Sequence, residues 1–244
     1  MLPLVNTIQF KNLQVEINQK MLLKGIDIQL SSSDCCLIIG KNGAGKSTLL
    51  NAIVDYIPIL KEGQILVNNY DLKNDKDALK YKRLIGYSKG DNFLIEDFTV
   101  EENLFFLTKV YNIDKETFTN QINMFSAYFP DIRNLYSQKV SKLSTGEYKL
   151  ICLLTSLLHN PEILIWDEPY SGIDILSSEK ITMMINQLLL RGKIILISSH
   201  EENVLNTVGT HVLIIRNGFQ SFFGQKNALI ERSKDFKNGI FRFL

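Results

Sequence analysis

The segment Gly40-Lys41-Asn42-Gly43-Ala44-Gly45-Lys46-Ser47, followed by Thr48, has the spacing G-x-x-x-x-G-K-S. Each residue type in it has a task in holding a polyphosphate. Glycines let backbone N–H groups turn inward around an anion, and a helix starting at Lys46 adds its positive end. Lys46 brings a point charge to the β- and γ-phosphates, and the Ser47 hydroxyl suits Mg²⁺. A second constellation lies far along the chain. Ile163-Leu164-Ile165-Trp166-Asp167-Glu168-Pro169 is an apolar run ending in two carboxylates. Neighbours on an extended chain point in opposite directions. Asp167 is therefore assigned to the metal and Glu168 to the attacking water as general base.

The elements that position these residues are legible around them. Cys35 to Ile39 is a short apolar run, as expected of a strand buried on both faces, and it leads into the glycine-rich turn. Helical spacing follows over Lys46 to Val54. Thr7 to Leu30 alternates as strands do, and Gly63 to Val67 with Asn68-Asn69 predicts a hairpin. Thr99-Val100-Glu101-Glu102 is a capping box, with Leu104, Leu107, Val110 and Tyr111 as the expected buried face. A second helix is predicted over Lys115 to Phe129, stopped by Pro130. Strands are expected at Ile163–Trp166, Ile194–Ser198 and His211–Ile215, with a helix over Ile175–Arg191 ended by Gly192. Strands alternating with helices predict an α/β fold with a mostly parallel sheet.

Composition narrows the function. Of 244 residues, 45% are hydrophobic and 22% charged, which excludes disorder over most of the length. Lys plus Arg is 27 against 26 for Asp plus Glu, a net charge of +1. Such a balance argues against a nucleic-acid partner, which would demand excess basic groups. The longest nearly apolar run, Leu150 to Leu158, falls well short of the roughly 20 residues of a spanning helix. The start, Met1 to Phe10, does not read as a signal peptide. Cys35, Cys36 and Cys152 have no metal-ligand spacing and read as buried thiols. The tail Ser233 to Leu244 mixes Lys234, Lys237 and Arg242 with Phe236, Phe241 and Phe243, as a packed or frayed end would.

Three further elements occur in a telling order. Leu143-Ser144-Thr145-Gly146-Glu147 precedes the acidic strand, Ser171-Gly172-Ile173-Asp174 follows it, and His200 closes the strand ending at Ser198. From about Ile8 to Gly224 the series resembles the ATP-binding subunit of ATP-binding cassette (ABC) transporters. The resemblance implies one cassette domain over residues 1–244 with a phosphate-loop NTPase core. It adds an antiparallel β subdomain (about 5–30 and 60–72) and an α-helical signature subdomain (about 90–160). It implies ATP and Mg²⁺ as cofactors, with ATP hydrolysed. The signature, Ser144, Thr145, Gly146 and Glu147, would contact ATP bound to a second subunit, in a homodimer or heterodimer. Asp174 would sit in the turn linking the two sites, and His200 would stand beside the γ-phosphate. A separate transmembrane permease subunit would receive the motion, placing the chain on the cytoplasmic face of the membrane. The stretch Thr99 to Tyr111 is most like export-type members. Two other readings are a soluble cofactor-assembly ATPase and a nucleotide-gated subunit with weak hydrolysis.

Several positions depart from the family pattern. Thr145 replaces a glycine and Glu147 a glutamine. The aromatic expected to stack on adenine falls near Ile17, so apolar contact is expected to hold the base. The glutamine expected near Gly90 is missing, with Asp91 or Lys89 nearby. The basic residue usual after the signature aligns with Leu150, beside Lys149. The partner's contact groove is expected near Phe93-Leu94-Ile95 and Phe98.

Overall fold

The computed structural model describes residues 5–54, 60–89, 94–199, 207–231 and 235–244. Two sheets organise the chain. Strands β1 (Thr7–Ile17), β2 (Lys20–Ser31), β4 (Leu60–Val67) and β5 (Tyr70–Asp71) form an antiparallel sheet in the order β2-β1-β4-β5. Its turns carry asparagines at positive φ, Asn18 (49°), Asn68 (49°) and Asn69 (66°), which tolerate the left-handed region better than most residues. The second sheet has the order β10-β9-β3-β8-β7-β6. It comprises β3 (Cys35–Ile39), β6 (Ile85–Ser88), β7 (Ile163–Asp167), β8 (Ile194–Ser198), β9 (His211–Arg216) and β10 (Phe219–Gln225). All pairings are parallel except β10 with β9.

The central strands β3, β7 and β8 are buried at every position. Alternation divides their side chains between two cores. Cys35, Leu37, Leu164, Trp166, Ile195 and Ile197 face a core shared with the helices α3 (Val100–Tyr111), α4 (Lys115–Tyr128), α5 (Thr145–Leu157) and α6 (Ile175–Leu190). Cys36, Ile38, Ile163, Ile165, Ile194 and Leu196 face α1 (Lys46–Ile53) and the antiparallel sheet. Trp166 is fully buried and its Nε1–H donates to Ser156 Oγ at 3.0 Å, pinning α5 to β7. Removing such a ring typically costs about 3–5 kcal/mol.

The structure corrects some local expectations. In α3 the buried stripe runs through Val100, Asn103 and Leu104, while Val110 is 59% exposed. Helix α2 (Asp75–Arg83) and strands β6 and β10 have only weak sequence signals. Near the end, α7 (Lys226–Glu231) leads to α8 (Phe236–Phe243). Phe236 and Ile240 are buried in the first core and Phe241 faces outward, so this end of the chain is a packed helix. All three cysteines are buried, and burial pushes the Cys35 thiol up to about 12.

Candidate nucleotide site

The loop after β3 turns sharply into α1. Gly43 (φ 76°) and Gly45 (φ 114°) adopt conformations that side chains resist. A Cβ on Gly45 would also sit 2.7 Å from Leu23 Cδ2. Gly45 is the N-cap of α1; it offers no side-chain cap, and no acidic residue lies in the first turn. The helix start thus keeps its N–H groups and positive end for a ligand. The loop is anchored from behind. Gly218 N–H donates to Ala44 O (3.1 Å), and Lys24 N–H donates to Gly218 O (2.9 Å). Lys46 is buried, and its Nζ donates to Gly40 O at 2.7 Å.

Above this loop is a cavity of about 790 Å³. Asn42, Gly43, Gly45, Lys46, Ser47 and Thr48 line it together with Glu168 and Ser171. The two constellations, more than a hundred residues apart in sequence, therefore meet. Burial lowers the Lys46 ammonium below the ordinary lysine value, opposed by the Glu168 and Asp167 carboxylates, which raise it. Lys20 and Leu22 of β2 line the same cavity, whereas Ile17 packs on the second core instead. Ile17 stands directly across from Lys20 in the β1–β2 register, and only that pairing reveals Lys20 and Leu22 as lining residues.

The acidic strand end departs from the extended geometry expected of it. Asp167 closes β7, buried, with Oδ1 accepting from the Ser198 hydroxyl. Glu168 is not extended but left-handed, at φ 52°. Its different direction therefore comes from a backbone reversal, not from strand alternation. Ser47 and Asp167 supply hard oxygen donors. A phosphate-bound Mg²⁺ takes one or two protein carboxylates and fills its shell with phosphate and water. Those two donors, one of them a carboxylate, are as many as such an ion usually takes from protein.

Ser144, Thr145, Gly146, Glu147 and Asp174 do not line that cavity. Ser144 caps α5 in a closed box: its N–H and hydroxyl both bond Glu147 Oε2, at 2.8 and 2.7 Å. Gly146 and Thr145 pack on the 171–173 turn, a Cβ on Gly146 falling 3.4 Å from Gly172 O. Asp174 caps α6, accepting from Ser177 N–H at 2.9 Å. His200 lies outside the described residues, as do Gly90, Asp91 and Phe93. Of the expected contact groove, Leu94 is buried while Ile95 and Phe98 are about 40% exposed.

A sequence model of the ABC transporter family matches residues 23–171, more than half of the chain. The chain belongs to the ABC transporter family. It is an ATP-binding ATPase subunit of that family. The ABC transporter ATP-binding protein NatA of Bacillus subtilis is 29% identical over 216 residues, covering 87% of this chain and 86% of that protein. The energy-coupling factor transporter ATP-binding protein EcfA1 of Fusobacterium nucleatum is 29% identical over 230 residues, covering 92% and 84%. The fold is that of a solved ATP-binding subunit of an ABC transporter, with TM-score 0.89, 21% identity and coverage of 97% of this chain and 98% of that one. A dimeric ATP-binding cassette in a post-hydrolysis state with ADP and phosphate superposes with TM-score 0.79 at 23% identity, covering 89% of this cassette and 98% of that one.

Proposed function

We propose that the cassette hydrolyses Mg²⁺-ATP between two copies, or between this chain and a related one, and drives a separate transmembrane subunit. The observation that carries this reading is the split site. One cavity brings Asn42, Gly43, Gly45, Lys46, Ser47 and Thr48 of the phosphate loop to Glu168, yet leaves Ser144–Glu147 outside. A second copy would supply that signature, and Asp174 would sit in the turn between the two sites. Amides at the start of α1 bind the phosphates, and Lys46 neutralises the charge that develops on them. Ser47 and Asp167 would hold Mg²⁺, which would help neutralise the negative charge on the transferred phosphate. Glu168 takes the proton of the attacking water, and His200 steadies the γ-phosphate. Support for pairing comes from the related cassette captured as a dimer with ADP and phosphate.

The chain divides on this reading into a β subdomain (about 5–30 and 60–72), a helical subdomain (about 90–160) and the phosphate-loop core. No helix among the described residues is long and apolar enough to cross a membrane, and the relatives NatA and EcfA1 are named as transporter subunits. The transmembrane subunit docks on α3 and the segment before it. There Ile95, Phe98, Phe105 and Phe106 expose 39–62% of their surface, and clustered exposed apolar side chains suit a partner's surface. The chain then sits at the cytoplasmic face of the membrane. The decisive experiment is Glu168→Gln. ATPase turnover falls by about 100-fold or more, while ATP now holds a stable dimer by light scattering. Near-wild-type turnover would overturn the reading. A second reading, a nucleotide-gated subunit with weak hydrolysis, is favoured by the Glu147 carboxylate already seated on Ser144.

A further inference from the structure

Glu168 is the one residue of the acidic strand end held at positive φ, 52°. A side-chain-bearing residue there costs about 1–2 kcal/mol, and the following Pro169 narrows its choices further. Such a backbone persists only where its surroundings over-determine it. The surroundings do so at both ends of the residue. The Glu168 N–H donates to Ser198 O (3.1 Å) and to Ser198 Oγ (3.0 Å). The Glu168 carbonyl accepts from Ser171 N–H (3.3 Å) and from the Lys149 ammonium (3.1 Å). Ser198, fully buried, also donates its hydroxyl to Asp167 Oδ1, so one side chain orients both members of the carboxylate pair.

Lys149 adds something the other partners cannot. Ser198 and Ser171 belong to β8 and to the turn beside the site, but Lys149 lies on α5, one turn beyond the capping box at Ser144. It therefore ties the helix that begins at the signature to the main chain of the carboxylate in the same copy. We propose that Lys149, with Ser198, is a positioning residue that holds Glu168 in its left-handed conformation and makes the aim of the general base depend on the placement of the signature helix. The inference rests on Glu168 acting as the base. A displacement of α5 on engaging the second copy's nucleotide moves the carbonyl that Lys149 grips. Binding of ATP to the phosphate loop of the same copy does not involve this bond.

Lys149→Met keeps the stem and removes the donor. Misaiming a reacting group costs between about tenfold and 100-fold in rate. The expected result for purified Lys149→Met is a kcat lowered by that factor, with KM and the calorimetric affinity for Mg²⁺-ATP within about twofold of wild type. Lys149→Arg, which can still donate, restores most of the loss. Ser198→Ala lowers kcat similarly, and the double variant loses less than the product of the two, as residues sharing one target do. A kcat for Lys149→Met within twofold of wild type, or a loss carried entirely by ATP affinity, overturns the proposal. Should Lys149→Met melt far below wild type, Ser198→Ala decides. Turnover unchanged in it, with Glu168→Gln inactive, sinks the proposal and leaves the base intact. Turnover retained in Glu168→Gln sinks the underlying assignment instead.

Discussion

Two helix starts in this chain, the phosphate loop's and the one the proposed function assigns to a second copy's nucleotide, are built in opposite ways. Helix α1 begins at Gly45, without a side-chain cap and without an acid in its first turn. Helix α5 begins at Ser144, whose N–H and hydroxyl are already taken by the Glu147 carboxylate, while Ser144 Oγ accepts from Glu147 N–H at 3.3 Å. Both ends carry the same partial positive charge. The first holds it open for a ligand; the second spends it on its own chain. Helix α3 shows how ordinary the closed arrangement is, since Thr99 and Glu102 form the same box away from the phosphate loop. A helix N-terminus thus presents ready amides to a phosphate where the sequence leaves the cap empty. At the signature, the glutamate found in place of the family's glutamine fills it.

The largest expected effect has to be removed before the two starts can be compared across pH. His159, just beyond the C-terminal end of α5, donates Nε2–H to Ile85 O at 3.0 Å and stacks on Tyr111 with ring centroids 4.2 Å apart. Burial lowers its pKa to about 4, partly offset by the Ile85 bond. The unfolded chain takes up a proton near 6.5 that the folded chain refuses. Stability therefore falls as pH drops from 6.5 to 4 and levels off below, by about 3 kcal/mol at most. Denaturant melts at pH 7 and pH 4.5 read the slope, and His159→Phe should flatten it.

Breaking the open start comes next. Lys46→Met removes a charged donor beside the α1 amides, and ATP affinity by calorimetry should weaken between about tenfold and 100-fold. Unchanged affinity would place the triphosphate elsewhere. Opening the closed start is the converse. Glu147→Gln removes a charge that repels an incoming phosphate, so ATP-driven dimerisation should strengthen about two- to fivefold by sedimentation. The same substitution lowers stability slightly. Bonds from Ser144 hold the Glu147 carboxyl below its ordinary value. Its stabilising contribution is present above the unfolded value of 4.5 and lost as pH falls through the lower folded one. The smallest effect is the control. Glu102→Gln opens the equivalent box on α3 and should lower the melting temperature a little without changing nucleotide affinity or dimerisation. An equal gain in dimerisation would erase the distinction between the two starts.

Much of the site was legible because its determinants are local. The phosphate loop and the boxes at Thr99 and Ser144 each depend on residues within eight positions of one another. The face of α6, Ile181, Met184, Ile185 and Leu188, follows from helical spacing and is buried as that spacing predicts. Val110 misled because a position can fit the stripe's spacing and still fall beyond the edge of the contact. Strand β6 was missed because Gly86 and Ser88 weaken its pattern, although the pairing with β7 needs them there. Adding a Cβ at Gly86 would bring it 2.0 Å from Ser156 O of α5, and no pattern within β6 announces that crossing.

By itself the sequence determined which residues can do chemistry and what each short segment prefers, because turn glycines, caps and alternation act between near neighbours. Only the tertiary structure decided that Lys20 and Leu22 line the nucleotide cavity and Ile17 does not. It alone placed Ser198 and Lys149 on the two ends of a reversed Glu168 backbone. Those contacts join strands and a helix separated by tens of residues, and their geometry exists only once two sheets and α5 are packed on common cores.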